Sequence, residues 1–384
     1  MPQRFGRRSK RLRPFPNVAS YPTQGIALCL FMLVLSHLST TAKAFQLRTS
    51  LSSSKFSHRL RRVQYVKMAS SSSSSFSTPA PSSRSSDEGT FPYRLIDSHH
   101  HVWTDGEEPF PYANGQSAPP GLQDSGTAEK FLTLAAAAGV ERSLIVQPIL
   151  YLYDHSYVRS VLQAHPGKFE GMLNANPTLS PEAAAAAIVR LHGEGFKSIR
   201  FNPYIWPAGE KMDNDVGRAM FAEAGRLGMP VGLMLFKGLH LHLPEVNALL
   251  SLPRSLHPPP PVILDHWGFF HQDGRDVPEA WDALLSLAQY SHVTVKISAF
   301  FRVSSQPWPF HDLAPRLEEL VRVFGSERLM WGSDFPYVTT MGGGYAKAPR
   351  TVLEWRQAGL LPSLTERDYQ NLFSGTYLKV FGGQ

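Results

Sequence analysis

Thiol chemistry is almost absent from this chain. Cys29 is the single cysteine among 384 residues, and it falls in an N-terminal segment set apart by the rest of its composition. Everything beyond that segment lacks a thiol, which excludes disulfides, thiolate nucleophiles and cysteine zinc sites there. Acidic residues are missing too, but only from the first 86 positions, which hold fourteen Lys or Arg and no Asp or Glu. The formal charge of +7 comes from that segment alone. The remaining chain carries 24 basic and 31 acidic residues, a net of −7. A mildly acidic body has no basic footprint for nucleic acid. Long apolar runs are also lacking. The stretch 26–35 (IALCLFMLVL) has ten residues, half of the roughly 20 that carry a helix across a bilayer.

The leader reads as targeting sequence. A basic stretch at 4–13, the apolar run at 26–35 and the small residues of TTAKAF form a secretory-type signal pattern over 1–44. Residues 45–86 are rich in Ser and Arg without acid, as transit peptides are. Signal-like followed by transit-like sequence, with Phe45 at the junction, resembles the bipartite plastid presequence of algae with complex plastids. The expected location is the plastid. Met68 opens MASSSSSSFS and offers a second start, which would give either a simple transit peptide or a cytoplasmic protein. The Ser/Pro stretch 70–86 is expected to be disordered. Residues 87–384 are expected to form one domain, with no membrane segment in the mature chain.

In that domain, short apolar runs alternate with helical patterns. Strands are predicted at 93–99, 142–148, 169–177, 197–202, 230–236, 261–266, 293–299 and 328–334. Helical spacing with a Thr, Ser or Asn at the start and Gly at the end marks 127–139, 180–195 and 214–228. Continuous rather than alternating apolar strands are covered on both faces. Eight β-then-α units in this length predict a (β/α)8 TIM barrel. A doubly wound open sheet is the competing fold, but the turn after its first strand would be Gly-rich, and here it reads SHHHVWTDG.

Three consecutive histidines, His99 to His101, are unexpected at this histidine content: chance predicts about 0.02 such triplets. In a barrel, catalytic groups collect at the C-terminal ends of strands. His99 and His101 end the first strand and, by period two, face one side while His100 faces the other. Arg200 and Asn202 end the fourth strand, His266 the sixth and Asp334 the eighth; Arg302 follows the seventh. Taken singly, His266 reads as a hydrogen-bonded core histidine, Asp334 as a turn cap, Arg200 as an ion-pair partner and Asp97 as a group orienting a ring from behind. Their joint occurrence at one barrel mouth points to a site. His240 and His242 repeat the H-x-H spacing, but after strand five, where a loop or helix start is expected. His155, His257, His271, His292 and His311 lack a supporting context and read as surface residues.

IDSHHHVW, VILDHWG and MWGSDFPY together resemble the amidohydrolase-related branch of the amidohydrolase superfamily, over about 94–381. The nearest pattern is that of the 2-pyrone-4,6-dicarboxylate lactonase and sugar-lactonase group, with DHxG at 265–268, KxS and a following Arg at 296–302, and GSDxP at 332–336. The resemblance implies the metal-dependent-hydrolase type of barrel and a hydrolase acting on a small-molecule substrate. It also implies departures. Metal-dependent members usually add a His at the end of strand five, where this chain has Met234, and two-metal members add a Lys or Glu at strand four, where it has SIRFNP. A two-metal centre is therefore not expected. One zinc held by His99, His101 and Asp334 is compatible with the residues, and so is a metal-free site.

The expected reaction is opening of a lactone of a small carboxylated substrate. Asp334 would act as general base; His99, His101 and His266, or a zinc, would polarise the carbonyl. Arg200, Asn202 and Arg302 would bind substrate, the arginines pairing with its carboxylate. Trp103, Tyr204, Trp267 and Phe335 would line the rim or close the barrel mouth. The alternatives are a metal-dependent decarboxylase of the same branch and a non-catalytic ligand-binding barrel.

Overall fold

The computed structural model describes residues 90–252, 258–341 and 343–382. The expectations about the leader, and His257, lie outside the described residues. Eight parallel strands follow one another around the sheet in chain order. They are β1 (Leu95–His100), β2 (Val140–Val146), β3 (Phe169–Asn174), β4 (Phe196–Phe201), β5 (Val231–Leu233), β6 (Val262–Leu264), β7 (Val293–Ser298) and β8 (Leu329–Gly332). Helices return the chain between them, and a two-stranded hairpin at His271–Gln272 and Arg275–Asp276 interrupts the β6–β7 connection. The expected (β/α)8 barrel is present.

The three helices expected from the sequence form with the anticipated ends. Thr127, Ser180 and Asn214 cap Ala128–Ala138, Pro181–Gly193 and Asp215–Leu227 by accepting a backbone N–H, each worth about 1 kcal/mol. Gly139 and Gly228 end the first and third in the left-handed conformation, where a Cβ would be strained. Strands β5 and β6 are shorter than expected, at three residues each. Pro230 and Pro261 have no N–H to pair and act only through their carbonyls, which accept from Ile199 and Val231.

The apolar interior is split by the sheet. Ile96, Leu144, Met172, Ile263 and Met330 fill the barrel with Tyr377 and Phe381 from the C-terminal helix beneath them. The larger core lies between sheet and helices, and includes Phe131, Phe201, Trp331 and Trp355. Closure joins β8 to β1. Asp334 N–H donates to His99 O at 2.8 Å and His101 N–H to Phe335 O at 2.7 Å. The buried Asp97 carboxylate fastens the same seam, accepting from Ser333 N (2.9 Å), His99 N (3.1 Å) and the Tyr345 hydroxyl (2.9 Å).

Candidate active site

The site depends on an irregularity in β1. Ile96 belongs to the barrel-filling cluster, so strict alternation would turn His99 outward. The β1–β2 register slips between Asp97 and His100. Beyond the slip His99 and His101 face the interior, while His100 faces the helices, its ring stacked on Phe131 at 3.7 Å and Nε2 on Ser143 Oγ at 3.0 Å. Gly332 of β8 passes this point closely. A Cβ there would lie 2.9 Å from the Cβ of His99, so only glycine lets β8 approach.

The other side chains come from turns that leave the strands abruptly. His266, Ala299 and Asp334, just beyond β6, β7 and β8, have φ of +45°, +52° and +60°. Three non-glycine residues in the left-handed region at one barrel mouth mark strain held by surrounding structure, a pattern that gathers at functional sites. Asp334 Oδ1 lies 3.8 Å from His99 Nε2, 3.7 Å from His101 Nε2 and 4.0 Å from His266 Nε2. These distances are too long for direct hydrogen bonds, and they suit groups that converge on one small reacting atom between them. Asp334 Oδ2 is taken by Arg302 Nε at 2.7 Å, and the Arg302 guanidinium lies over the Tyr337 ring.

Hydrogen bonds set the direction of the imidazoles. His101 Nδ1 is 2.8 Å from Val146 O. A carbonyl only accepts, so neutral His101 carries its proton on Nδ1 and presents a lone pair at Nε2. His266 Nδ1 meets Ser298 Oγ at 2.7 Å. His99 Nδ1 meets Lys296 Nζ at 3.1 Å, with Asp265 Oδ1 at 3.3 Å. Asp265 also pairs with Lys296 (3.2 Å) and Arg200 (3.3 Å). Burial pushes His99 and His266 well below the usual imidazole value and His101 down to about 3, with neighbouring cations acting in the same direction. Burial also raises the Asp334 carboxyl, opposed by Arg302. The site is thus a set of neutral imidazoles around a carboxylate with raised basicity.

Not every residue singled out in the sequence faces this centre. Arg200 does, and its Nε and Nη2 make no hydrogen bond although both are buried. Asn202 is buried, but its Oδ1 accepts from Tyr204 N within the turn that follows β4. Trp103, Trp267 and Phe335 are packed inside the structure rather than at a rim: Gly126 sits against the Trp103 ring, Phe300 against Trp267, and Phe131 and Tyr345 against Phe335. Tyr204 joins His242 and Glu245 in a separate chain, with Tyr204 Oη to His242 Nε2 and His242 Nδ1 to Glu245 Oε1 both 3.2 Å. His155 and His271 are buried, which corrects the surface assignment: His155 Nε2 accepts from Asn174 N and His271 pairs with Asp276. His311 is exposed. Lys296 and Asp265 stood in the sequence only as parts of motifs. Their contacts with His99 require β6 and β7 to lie opposite β1, and no spacing in the sequence shows that.

The donors suit a metal ion. His99, His266 and Asp334 offer ligand atoms within 4.8 Å of one another, and imidazole with carboxylate is a zinc donor set. His101 Nε2 is near two of them, 3.4 Å from His99 Nε2 and 3.7 Å from Asp334 Oδ1, without belonging to that group. This group shares His99 and Asp334 with the sequence-based set of His99, His101 and Asp334, and has His266 in place of His101.

The family model described as amidohydrolase matches residues 96–382. The chain belongs to the amidohydrolase family. Its sequence is 25% identical to a 4-sulfomuconolactone hydrolase of Hydrogenophaga intermedia over 248 residues, 63% of this chain and 74% of that protein. Among solved structures, this amidohydrolase is similar to a candidate 2-pyrone-4,6-dicarboxylic acid hydrolase of Pseudomonas putida, at 22% identity, 76% and 98% coverage and a TM-score of 0.57. It is also similar to an amidohydrolase of Burkholderia multivorans solved with bound zinc, at 19% identity, 75% and 99% coverage and a TM-score of 0.58. At these identities the structures establish the barrel fold. Among the described residues no helix is long and apolar enough to cross a membrane.

Proposed function

We propose that this amidohydrolase opens a lactone of a small carboxylated substrate by attack of water on the ring carbonyl. The observation that carries the reading is the placement of Asp334 Oδ1 within 4.0 Å of three imidazole nitrogens. The lactone-hydrolase names of the sequence relative and of the Pseudomonas neighbour support it.

Asp334 Oδ1 takes a proton from the attacking water while Arg302 holds Oδ2 and fixes the carboxylate plane. His101, with only a lone pair at Nε2, accepts a hydrogen bond from the second water hydrogen, which stays on the attacking oxygen. As the tetrahedral intermediate collapses, the ring C–O bond breaks and Asp334 returns its proton to the leaving ring oxygen. His99 and His266 donate from Nε2 to the oxyanion that forms on the carbonyl. Each such donor contributes about 3 kcal/mol to the barrier difference. His101 thereby changes role relative to the sequence reading, which grouped it with the oxyanion donors. A divalent ion, if bound, would be held by His99, His266 and Asp334 and would supply Lewis-acid polarisation of the carbonyl.

Arg200 is assigned to the substrate carboxylate, because its guanidinium is buried beside the site with Nε making no hydrogen bond and Nη2 held only by charge, 3.3 Å from Asp265 Oδ2. Arg200→Met is expected to raise KM for a carboxylated lactone about 10–100-fold, the range of a charged hydrogen bond, and to leave an uncharged lactone unaffected. Equal effects on both substrates would remove Arg200 from this role.

The test of the reaction is turnover on a panel of carboxylated lactones, followed by acid release and product mass. Gain of one water per turnover is expected. Carbon dioxide release from a carboxylated substrate would indicate the decarboxylase instead, and saturable binding without turnover the non-catalytic barrel.

A further inference from the structure

Lys296 has no part in the chemistry described above, yet it is fully buried on β7 with its ammonium against the site. Its Nζ is 3.1 Å from His99 Nδ1 and 3.2 Å from Asp265 Oδ1. His99 Nδ1 therefore faces two groups of opposite hydrogen-bonding character. An ammonium only donates and a carboxylate only accepts. The contact of Lys296 with His99 Nδ1 has hydrogen-bond geometry, whereas the contact of Asp265 Oδ1 with the same nitrogen, at 3.3 Å, does not, and that oxygen is engaged by the Lys296 ammonium at 3.2 Å.

These contacts run one way. Lys296 Nζ–H donates to His99 Nδ1, which places the His99 proton on Nε2. His99 Nε2–H points at His101 Nε2, 3.4 Å away. That atom is a lone pair because His101 Nδ1–H donates to Val146 O. Each link agrees with the next. A histidine that ligates a metal through Nε2 needs the reverse arrangement, with its Nδ1–H given to a carboxylate or carbonyl. His101 meets that requirement. His99 does so only if Asp265, rather than Lys296, becomes its partner. Charge points the same way: the cations Lys296, Arg200 and Arg302 match the buried carboxylates Asp97, Asp265 and Asp334.

We propose that Lys296 is a positioning residue that fixes the tautomer of His99, keeping Nε2–H available for the substrate carbonyl and withholding the lone pair a divalent ion requires. The first half rests on His99 being an oxyanion donor in the lactone reading. The second half concerns the resting protein and stands apart from it.

The experiment uses the full chain, its histidines labelled with 15N and His99 assigned by loss of its signals in His99→Gln. In the unsubstituted protein after chelation, His99 is expected as the Nε2–H tautomer. Lys296→Met keeps the length of the side chain and removes the donor, so His99 should shift to Nδ1–H. Zinc should then bind about 10–100-fold more tightly by calorimetry, the size of effect that ligand-orienting partners produce. Asp265→Asn breaks the same ion pair but leaves the lysine donor, and should give no gain in zinc affinity. Equal gains in both variants would mean simple loosening of the site and would overturn the proposal. So would an Nδ1–H tautomer in the unsubstituted protein, a result independent of whether Lys296→Met folds. Failure of lactone turnover with the tautomer and zinc results intact would reject the reaction and leave the lysine's effect on His99 standing.

Discussion

Asp334→Asn is expected to lower kcat/KM for lactone opening by about 10³-fold, within the range for losing a positioned general base. Asparagine is the informative replacement for two reasons. It tolerates the left-handed backbone at this position, φ +60°, where alanine would mix loss of the carboxylate with backbone strain. Its amide oxygen also keeps an acceptor for Arg302 Nε, now 2.7 Å from Asp334 Oδ2, so the guanidinium is not left buried without a partner. Binding of a substrate-like lactone should therefore survive while turnover does not. A variant retaining more than about a tenth of the activity would show that proton transfer lies elsewhere.

Acid is expected to unfold the protein through histidine rather than carboxylate. His101 and His155 are buried, and their imidazoles are depressed to about 3 and about 4, chiefly by burial. In the unfolded chain both titrate near 6.5. Between that value and the depressed one the unfolded state binds more protons, so stability is intact above pH 6.5 and is lost as pH falls. From pH 7 to pH 5 each costs about 2 kcal/mol. His99, His100 and His266 are shifted in the same direction. Asp97 opposes them. Burial pushes its carboxyl up to about 6, so the folded state gains a proton in this window, worth about 1 kcal/mol. The net expectation is a fall of about 3 kcal/mol or more in unfolding free energy, a large share of the 5–15 kcal/mol that a domain has. Urea titrations at pH 7 and 5 measure it. An unchanged midpoint would mean these rings are already charged or solvated at pH 7.

Much of the fold and of the site is legible in the sequence. The apolar runs are continuous because strands inside a barrel are covered on both faces, and the caps at Thr127, Ser180 and Asn214 are local chemistry. His99, His266 and Asp334 stand out because strand ends share one mouth. What could not be read depends on pairing across the sheet. The slip in β1 lies where β1 also closes against β8, and it reverses the inward face between Ile96 and His99. Lys296 looks like an ordinary residue of VTVKIS until β6 brings Asp265 to its ammonium. His155 and His271 are buried and paired, with the Asn174 N–H and with Asp276, through contacts that no periodicity announces. Trp103 and Phe335 read as rim aromatics because their strands are placed correctly, but packing against Gly126 and Phe131 takes them inside.

The claim on which the rest depends is that these distant residues act on a single reacting group, and a double-mutant cycle measures it. Asp334→Asn and His266→Asn, the latter also suited to its positive φ, should each lower kcat/KM, by about 10³-fold and about 10²-fold. If both side chains serve one transition state, the double variant will lie within about tenfold of Asp334→Asn alone. Losses that multiply to about 10⁵-fold would show two independent contributions and contradict the shared centre.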